Sequence, residues 1–543
     1  MNGTKNHVKI GIPDYVIIET ETKRIVMDKG ISEIQVEDIS VEIREEGEHQ
    51  DIFLTANETP IRTIKFRWNR KMPRNVKIFG DVWERGYGDL EWRGMSANRF
   101  FPWYFLMSGA DKKLGFGVKV RPSAMCFWQV DTSGVTLVMD VRCGGDGVCL
   151  NGRKLNVAQL VCLEMKGMSS FKAAQELCRA MCEDPVLPPF PVYGSNNWYY
   201  AYGDSSEVEI LRDTDYILQL TEGAKNAPYM VIDDCWQEHH RLNEYNGGPW
   251  RCGNEKFPDM KKLADQLLEK KVRPGIWIRL LQNEDEAIEQ EWRLPLNGCL
   301  DPSHPKALAY IKEDVRRVAK WGYSLIKHDF STYDLFARWG FEMNPMVTKS
   351  GWHFYDRSKT SAEIVKQFYQ AVYEAAKEYN AMILGCNTIG HLGAGWIHIN
   401  RVGDDTSGHN WERTRRVGVN TLAFRLPQHK IFYEIDADCV GITGEIPWKL
   451  NKQWADVIEE SGTPLFVSAK PGVLTEQEKE ELHQIMLKAS EQKKHKIPMD
   501  WEETDCPEVW VDEQEELQYS WYEEQGIPLE SEQEMYRIYI PMS

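Results

Sequence analysis

No stretch of about 18 consecutive apolar residues occurs in the chain, so the sequence offers no membrane-spanning helix. The segment from Met1 to Ile10 also lacks the charged region and apolar core of a secretory leader. Basic residues are in deficit, with 65 Lys and Arg against 83 Asp and Glu, and the net charge of −18 opposes binding to phosphate backbones and anionic membranes. Nucleic acid and membrane are therefore excluded as partners. The twelve cysteines show no paired C-x-x-C spacing, which disfavours a zinc site and points to free thiols in a reducing compartment. The expectation is a cytoplasmic protein, or a periplasmic or secreted one if a leader was removed. There is no internal repeat and no low-complexity tract.

What the chain has is length and aromatic residues. At 543 residues, 42% of them hydrophobic, it can bury roughly three quarters of its unfolded surface in several cores. Its 20 Trp exceed its 19 Phe. Tryptophan fills cores, and its face also stacks on sugar rings.

Up to about residue 165 apolar and polar residues alternate, as in His7 to Ile12, Glu33 to Ile43, Thr63 to Trp68 and Val135 to Val141, the pattern of an antiparallel sandwich. A helix follows at Ser170 to Cys182, and the proline-rich stretch from Asp184 to Pro189 marks a boundary. Beyond it eight short apolar runs alternate with amphipathic helices such as Glu207 to Leu220, Met260 to Lys271, Lys306 to Trp321 and Ala362 to Tyr379. The runs are Val192 to Ser195, Tyr229 to Ile232, Val272 to Ile278, Ser324 to Lys327, Met382 to Cys386, Ile397 to Asn400, Ile431 to Ile435 and Pro464 to Ser468. Eight such units predict an α/β fold, a (β/α)8 TIM barrel. An open doubly wound sheet is the alternative, without a G-x-G-x-x-G after its first strand. After a last helix near Glu476 to Glu491, segments at Glu508 to Val511, Leu517 to Tyr522 and Met535 to Ile540 suggest a small β appendage. The expected domains are an N-terminal β-sandwich over 1–185, a barrel over 186–490 and a small C-terminal β domain over 491–543.

In such barrels function sits where strands run out at their C-terminal ends. Here four ends carry carboxylates: Ile232-Asp233-Asp234-Cys235-Trp236, Ile326-Lys327-His328-Asp329, Asn400-Arg401-Val402-Gly403-Asp404-Asp405 and Ile435-Asp436-Ala437-Asp438. One such residue commonly caps the next helix, but four carboxylate-bearing ends suggest a ring around one mouth. Strand parity puts Lys327 and Asp329 on one face, so the ammonium would keep Asp329 ionised, as a nucleophile requires. The bland reading of that pair is an interior ion pair. Parity also groups Arg401, Gly403 and Asp405, favouring Asp405 over Asp404 as the group that reaches the cavity. Two carboxyl groups at one site are the equipment of a retaining glycosidase, one attacking and one protonating.

These motifs, with Tyr433 through Asp438 and Ser461-Gly462-Thr463-Pro464-Leu465-Phe466-Val467-Ser468, resemble glycoside hydrolase clan D, the melibiase-like α-galactosidases of families 27 and 36. The Arg-x-x-Asp-Asp form is most similar to the branch of family 36 that includes the raffinose synthases. The resemblance covers about residues 190 to 490. It implies Asp329 as nucleophile, Asp405 as acid/base, Asp233 and Asp234 holding sugar hydroxyls, and Lys327 and Arg401 contacting the sugar, with Asp404 and Asp438 in the same ring. Trp198, Trp236 and Trp277 are candidate walls of the sugar pocket. Cys386 falls where the clan contacts the substituent on C2. The chain departs from the family at Thr388-Ile389-Gly390-His391-Leu392-Gly393, where a glycine-rich run with an arginine is common, at His328, usually tryptophan or apolar, and at Cys235, often glycine.

The expected activity is therefore a retaining exo-acting α-galactosidase acting on an α-galactoside oligosaccharide or glycoconjugate, without metal or cofactor. Alternatives on the same machinery are a raffinose-synthase-like transglycosylase, an α-N-acetylgalactosaminidase and a β-L-arabinopyranosidase; the non-enzymatic one is a glycan-binding protein. A homo-oligomer stays open. The aromatic and acidic stretch from Asp81 to Trp92 is either a glycan subsite or a domain interface. Glu238-His239-His240 and Asp436-Ala437-Asp438 lack a third metal-ligand cluster. The acidic run from Asp512 to Glu516 reads as a solvated face.

Overall fold

The computed structural model describes residues 3–28, 30 and 32–526. It is a mixed α/β molecule in which two antiparallel sheets precede a curled parallel one. The first antiparallel sheet runs, in spatial order, through 33–36, 39–46, 49–56, 155–166, 113–118, 104–108 and 77–80, with 4–7 alongside 155–166. The second runs through 24–28, 15–20, 61–69, 134–140, 125–131 and 101–102. Their alternating residues meet in a core where Trp68 stacks on Trp128 at 6.2 Å and Phe105 on Phe116 at 4.9 Å. The helix Ser170–Met181 buries Phe171, Ala174, Leu177, Cys178 and Met181 on one stripe, and Ser169 caps it by accepting from Lys172 N. It packs closely because Gly115 and Gly117 lie beneath; a Cβ there would meet Leu177 at 2.9 Å and Met181 Sδ at 2.4 Å.

The parallel strands are labelled β1 (Tyr193–Asn196), β2 (Tyr229–Ile232), β3 (Arg273–Ile278), β4 (Leu325–His328), β5 (Met382–Gly385), β6 (Ile399–Arg401), β7 (Glu434–Asp436), β8 (Val440–Ile442) and β9 (Leu465–Ala469). Their order in the sheet is β7-β6-β5-β4-β3-β2-β1-β9-β8. The two edge strands are thus consecutive in sequence, separated by residues 437–439, where Asp438 takes a left-handed φ of 81°. Helices follow most strands, including Glu207–Leu220, Met260–Glu269, Pro305–Lys320, Ser361–Lys377, Trp448–Glu460 and Glu476–Ala489. Thr360 with Glu363 and Thr475 with Glu478 close capping boxes at two of them.

Strand parity sorts the sheet's two faces. Met230, Ile232, Ile326 and Ile383 belong to the large outer core shared with the helices, whereas Tyr229, Val231, Leu325, Leu384, Cys386 and Ile399 form a separate inner cluster. Continued by one step of two, the inner rows arrive at Asp233, at Lys327 and Asp329, and at Arg401. The chemistry-bearing side chains are the polar top layer of the inner apolar cluster. His328, of the opposite parity, faces outward onto Phe368 and Tyr369, each 5.9 Å away, and burial lowers its pKa to about 3.

Several expected elements shift. Glu33 to Ile43 is a hairpin instead of one strand, turned at Glu37, whose φ is 54°. The first strand is Thr4–His7, the sixth expected parallel strand begins at Ile399, and Leu517 to Tyr522 shrinks to Glu516–Gln518. Met535 to Ile540 lies outside the described residues. Ile497–Pro498, Val509–Val511 and Glu516–Gln518 form a three-stranded antiparallel sheet. Its neighbour Trp501 packs within 5.5 Å of Phe79, Trp92, Phe171 and Phe424, joining sandwich and parallel sheet. The acidic run is more than a solvated face: Asp512 at 2.7 Å and Glu515 at 3.3 Å cover the fully buried ammonium of Lys496, which also meets Glu460 at 3.3 Å. Among the described residues no helix is long and apolar enough to cross a membrane. All twelve cysteines are unpaired.

Candidate active site

At the C-terminal ends of β1 to β7 the inner top layer encloses a cavity of about 110 Å³. Asp233, Asp234, Lys327, Asp329, Arg401, Asp405, Asp438, Trp198 and Trp277 line it together. Asp329, at the end of β4, accepts from the N–H of Phe330 at 2.6 Å through one oxygen and from Trp277 Nε1 at 3.2 Å through the other. Phe330 reaches that position with a left-handed φ of 61°. Lys327, which parity places on the face of Asp329, makes its hydrogen bond to another carboxylate. Its ammonium donates to Asp233 at 2.7 Å, because Asp233 tops the neighbouring inner row and is fixed there by Asn196 Nδ2 at 2.6 Å. Burial would discharge Lys327, but the attraction of Asp233 outweighs it and raises the pKa.

Asp234 receives Gln237 Nε2 at 2.8 Å, and its pKa is pushed up to about 7, first by burial and then by the adjacent charge of Asp233. Cys235 follows at φ 156°, a backbone region in which glycine is at ease and a β-carbon is not.

The end of β6 is a charge network. Arg401 is buried, and its Nη2 meets Asp438 at 2.5 Å and Asp405 at 3.0 Å. Asp438 is further held by Thr406 N and Oγ1, both at 2.8 Å, and by the Tyr199 hydroxyl. Asp405 keeps 46% of its side chain exposed toward the cavity. Burial alone would raise its pKa, but Arg401 and Arg85, with Lys327 and Arg413 beyond, hold it below the usual carboxylate range. Asp404 turns away, tied to Arg85 at 2.9 Å and Arg413 at 2.7 Å, and is absent from the cavity wall.

Three candidates are not at the wall. Trp236 is fully buried, its indole N–H donating to the Trp277 carbonyl at 2.9 Å and its rings packed on Trp250 and Trp321. Asp404 is the second, for the reason just given. Cys386 tops the inner cluster and is absent from the cavity wall, where Arg401 stands beside it with Nη1 3.8 Å from its Sγ. Glu238 and His239 pair separately with Arg251 and Glu284, each at 3.6 Å, and do not converge.

Sequence reasoning missed Arg85, Asn196, Tyr199, Asn246, Phe330, Trp339 and Cys439, all on the wall. Asn196 was findable as the end of β1. Arg85 arrives from the sandwich: Gly86 N donates to Val402 O at 2.7 Å and Asp404 N returns to Gly86 O at 3.0 Å, pinning the Asp81 to Trp92 stretch against β6. Both glycines of this bridge are needed, since a Cβ on Gly86 or Gly403 would come within 2.6 Å or 2.3 Å of Thr421. That stretch therefore packs against the end of β6 and also delivers a pocket residue. The departure at His391 belongs to the same seam, where its ring stacks on Trp103 at 4.7 Å.

No protein-family model matches the chain. It is similar to a curated α-galactosidase of Oryza sativa subsp. japonica, 32% identical over 141 residues, which is 26% of this chain and 29% of the relative. An α-galactosidase of Cyamopsis tetragonoloba is 26% identical over 168 residues, 31% of this chain and 36% of the relative. The matched region thus spans about a third of either curated relative. Among solved structures, an α-galactosidase from Thermus thermophilus in complex with p-nitrophenyl α-D-galactopyranoside aligns over 88% of this chain and 99% of its own, with a TM-score of 0.58 and 16% identity. A GH31 family sulfoquinovosidase from E. rectale covers 94% of this chain and 88% of its own, with a TM-score of 0.57 and 12% identity. These structures share the fold. The resemblance to melibiase-like α-galactosidases carried by the strand-end motifs is borne out by the curated relatives.

Proposed function

We propose that the chain is a retaining, exo-acting α-galactosidase-type glycoside hydrolase with three domains, a sandwich over 1–185, a (β/α)8 barrel over 186–490 and a β domain over 491–543. The observation that carries the reading is that Asp329 and Asp405 share one small cavity with Asp233, Asp234, Lys327 and Arg401. The barrel reading rests on β7 and β8, whose three-residue link lets them act as one stave between β6 and β9. The names of the curated relatives, and the α-galactoside held by the Thermus thermophilus enzyme, support the substrate class. The twelve free thiols fit a cytoplasmic setting.

In this mechanism a carboxylate oxygen of Asp329 attacks C1 while Asp405 transfers its proton to the departing glycosidic oxygen, leaving a galactosyl ester and a carboxylate. Asp405 then takes a proton from water, whose oxygen attacks C1 and releases Asp329. The cations around Asp405 favour its ionised form, which suits the second step. For the first, the sugar must displace water from the exposed side of the carboxyl, which raises its pKa. Trp277 Nε1 and the Phe330 N–H fix the nucleophile's orientation. Asp233, locked by Lys327 and Asn196, and Asp234 are the acceptors for sugar hydroxyls.

The test is a comparison of aryl α-galactoside, α-N-acetylgalactosaminide and β-L-arabinopyranoside, with the anomer of the first-formed product followed by NMR. Preferred turnover of the α-galactoside with α-galactose released first is the expected result. An inverted product, or turnover of none, overturns the reading.

A further inference from the structure

The helix Trp448–Glu460 ends against its own dipole. Its last five residues, Asp456-Val457-Ile458-Glu459-Glu460, carry three carboxylates and no basic side chain. Spacings of three and four put the three acids on one face, and one oxygen from each lies within 4.8 Å of those of the other two. The C-terminal end of a helix carries partial negative charge, so acids gathered there are repelled by the backbone as well as by one another. A cation is what such an end attracts.

Glu459 is the member that the surrounding protein leaves unanswered. It is 2% exposed, and its Oε2 has no hydrogen-bond partner among the described residues. Burial first, then the charges of Glu460 and Asp456, push its pKa up to about 8 against the pull of Lys488 and Lys494. The lysines in reach are engaged by Glu460, Lys488 at 3.9 Å, Lys494 at 3.7 Å and Lys496 at 3.3 Å. Lys494 and Lys496 also serve Glu515, and Lys496 serves Asp512 as well. Five carboxylates therefore share three ammoniums. A buried carboxylate without a cationic partner takes up a proton or a metal ion.

The donor set is oxygen alone, which selects a hard cation over zinc or copper. Three oxygens no more than 4.8 Å apart share a centre within about 2.8 Å of each, which a small side-chain shift brings to the roughly 2.3–2.6 Å of a calcium bond. We propose that Asp456, Glu459 and Glu460 hold a divalent, calcium-like cation. Asp456 also accepts from the Tyr519 hydroxyl at 2.9 Å, so the cation clamps this helix to the segment that follows the small C-terminal sheet. The helix leads into β9, so its last turn lies at the N-terminal ends of the strands, away from Asp329 and Asp405, and the role is structural.

Terbium replaces calcium at oxygen sites and emits when a nearby tyrosine absorbs for it, and Tyr519 is one hydrogen bond from the cluster. Under ultraviolet excitation the full chain should give sensitised terbium emission that calcium displaces. Glu459→Gln, and Asp456→Asn, which still accepts from Tyr519, should each weaken terbium binding by at least about tenfold. Melting temperature then separates the cation from a proton. Calcium added after chelation should raise that of the wild type by about 3 °C and leave Glu459→Gln unmoved, while in chelator the variant melts no lower than the wild type because a repelled carboxylate has gone. Absence of calcium-displaced emission, or a calcium response equal in the wild type and both variants, overturns the site and leaves Glu459 a buried protonated acid.

Discussion

Two groups of buried charge in this molecule are made from the same residue types and have opposite consequences. Around Lys496 three carboxylates, Glu460, Asp512 and Glu515, converge on one ammonium. Around the parallel strand ends, Lys327, Arg401 and Arg85 also meet carboxylates, yet Asp405 stays nearly half exposed and Asp329 is held by an amide and an indole, with no cation paired to it among the described residues. The first group joins the small C-terminal sheet to the rest of the chain. The second positions acids and leaves their free oxygens facing a cavity. A buried ion pair is weak evidence of function, whereas an incompletely paired carboxylate on a cavity wall is strong evidence.

Substitutions separate the two groups. Asp405→Ala should lower turnover of unactivated α-galactosides by roughly 10²- to 10⁴-fold, and that of aryl galactosides less because a phenolate leaves without a proton, with little change in melting temperature. Lys496→Ala should do the reverse, costing about 3–5 kcal/mol of stability by chemical denaturation while kcat/KM per folded molecule is unchanged. Trp198→Ala, at the pocket wall, should raise KM about tenfold with the fold intact, whereas Trp236→Ala should destabilise by about 3–5 kcal/mol. The smallest effect is electrostatic. Arg85→Gln removes a cation beside Asp405, so the carboxyl pKa rises and the basic limb of the kcat/KM profile moves to higher pH by roughly one unit. A limb that stays put, with Arg401, Lys327 and Arg413 intact, would mean that Arg85 does not act on Asp405.

Much of this was legible because strand parity is a local property. The eight apolar runs, the helices between them and the four carboxylate-bearing ends follow from periodicities of two and 3.6. The preference for Asp405 over Asp404 also follows from counting by twos along β6, and the cavity wall includes only Asp405. What stayed illegible depends on contacts far apart in sequence. Nothing local tells Trp236 from Trp277, since only packing on Trp250 and Trp321 assigns the first to the core. Lys327 was matched to Asp329 by proximity in sequence, while the neighbouring strand brought Asp233 closer. Arg85 reaches the site from a segment more than 300 residues away in sequence from β6 through a two-glycine bridge that no spacing within either segment reveals.

The most direct measurement is the product formed by Asp329→Ala from an aryl α-galactoside with and without azide. The account predicts that turnover falls by at least about a thousandfold without azide. Azide should restore it, entering the face the carboxylate attacks from and giving the β-galactosyl azide. Undiminished turnover without azide, or an α-galactosyl azide as product, would contradict the assignment of Asp329 as nucleophile.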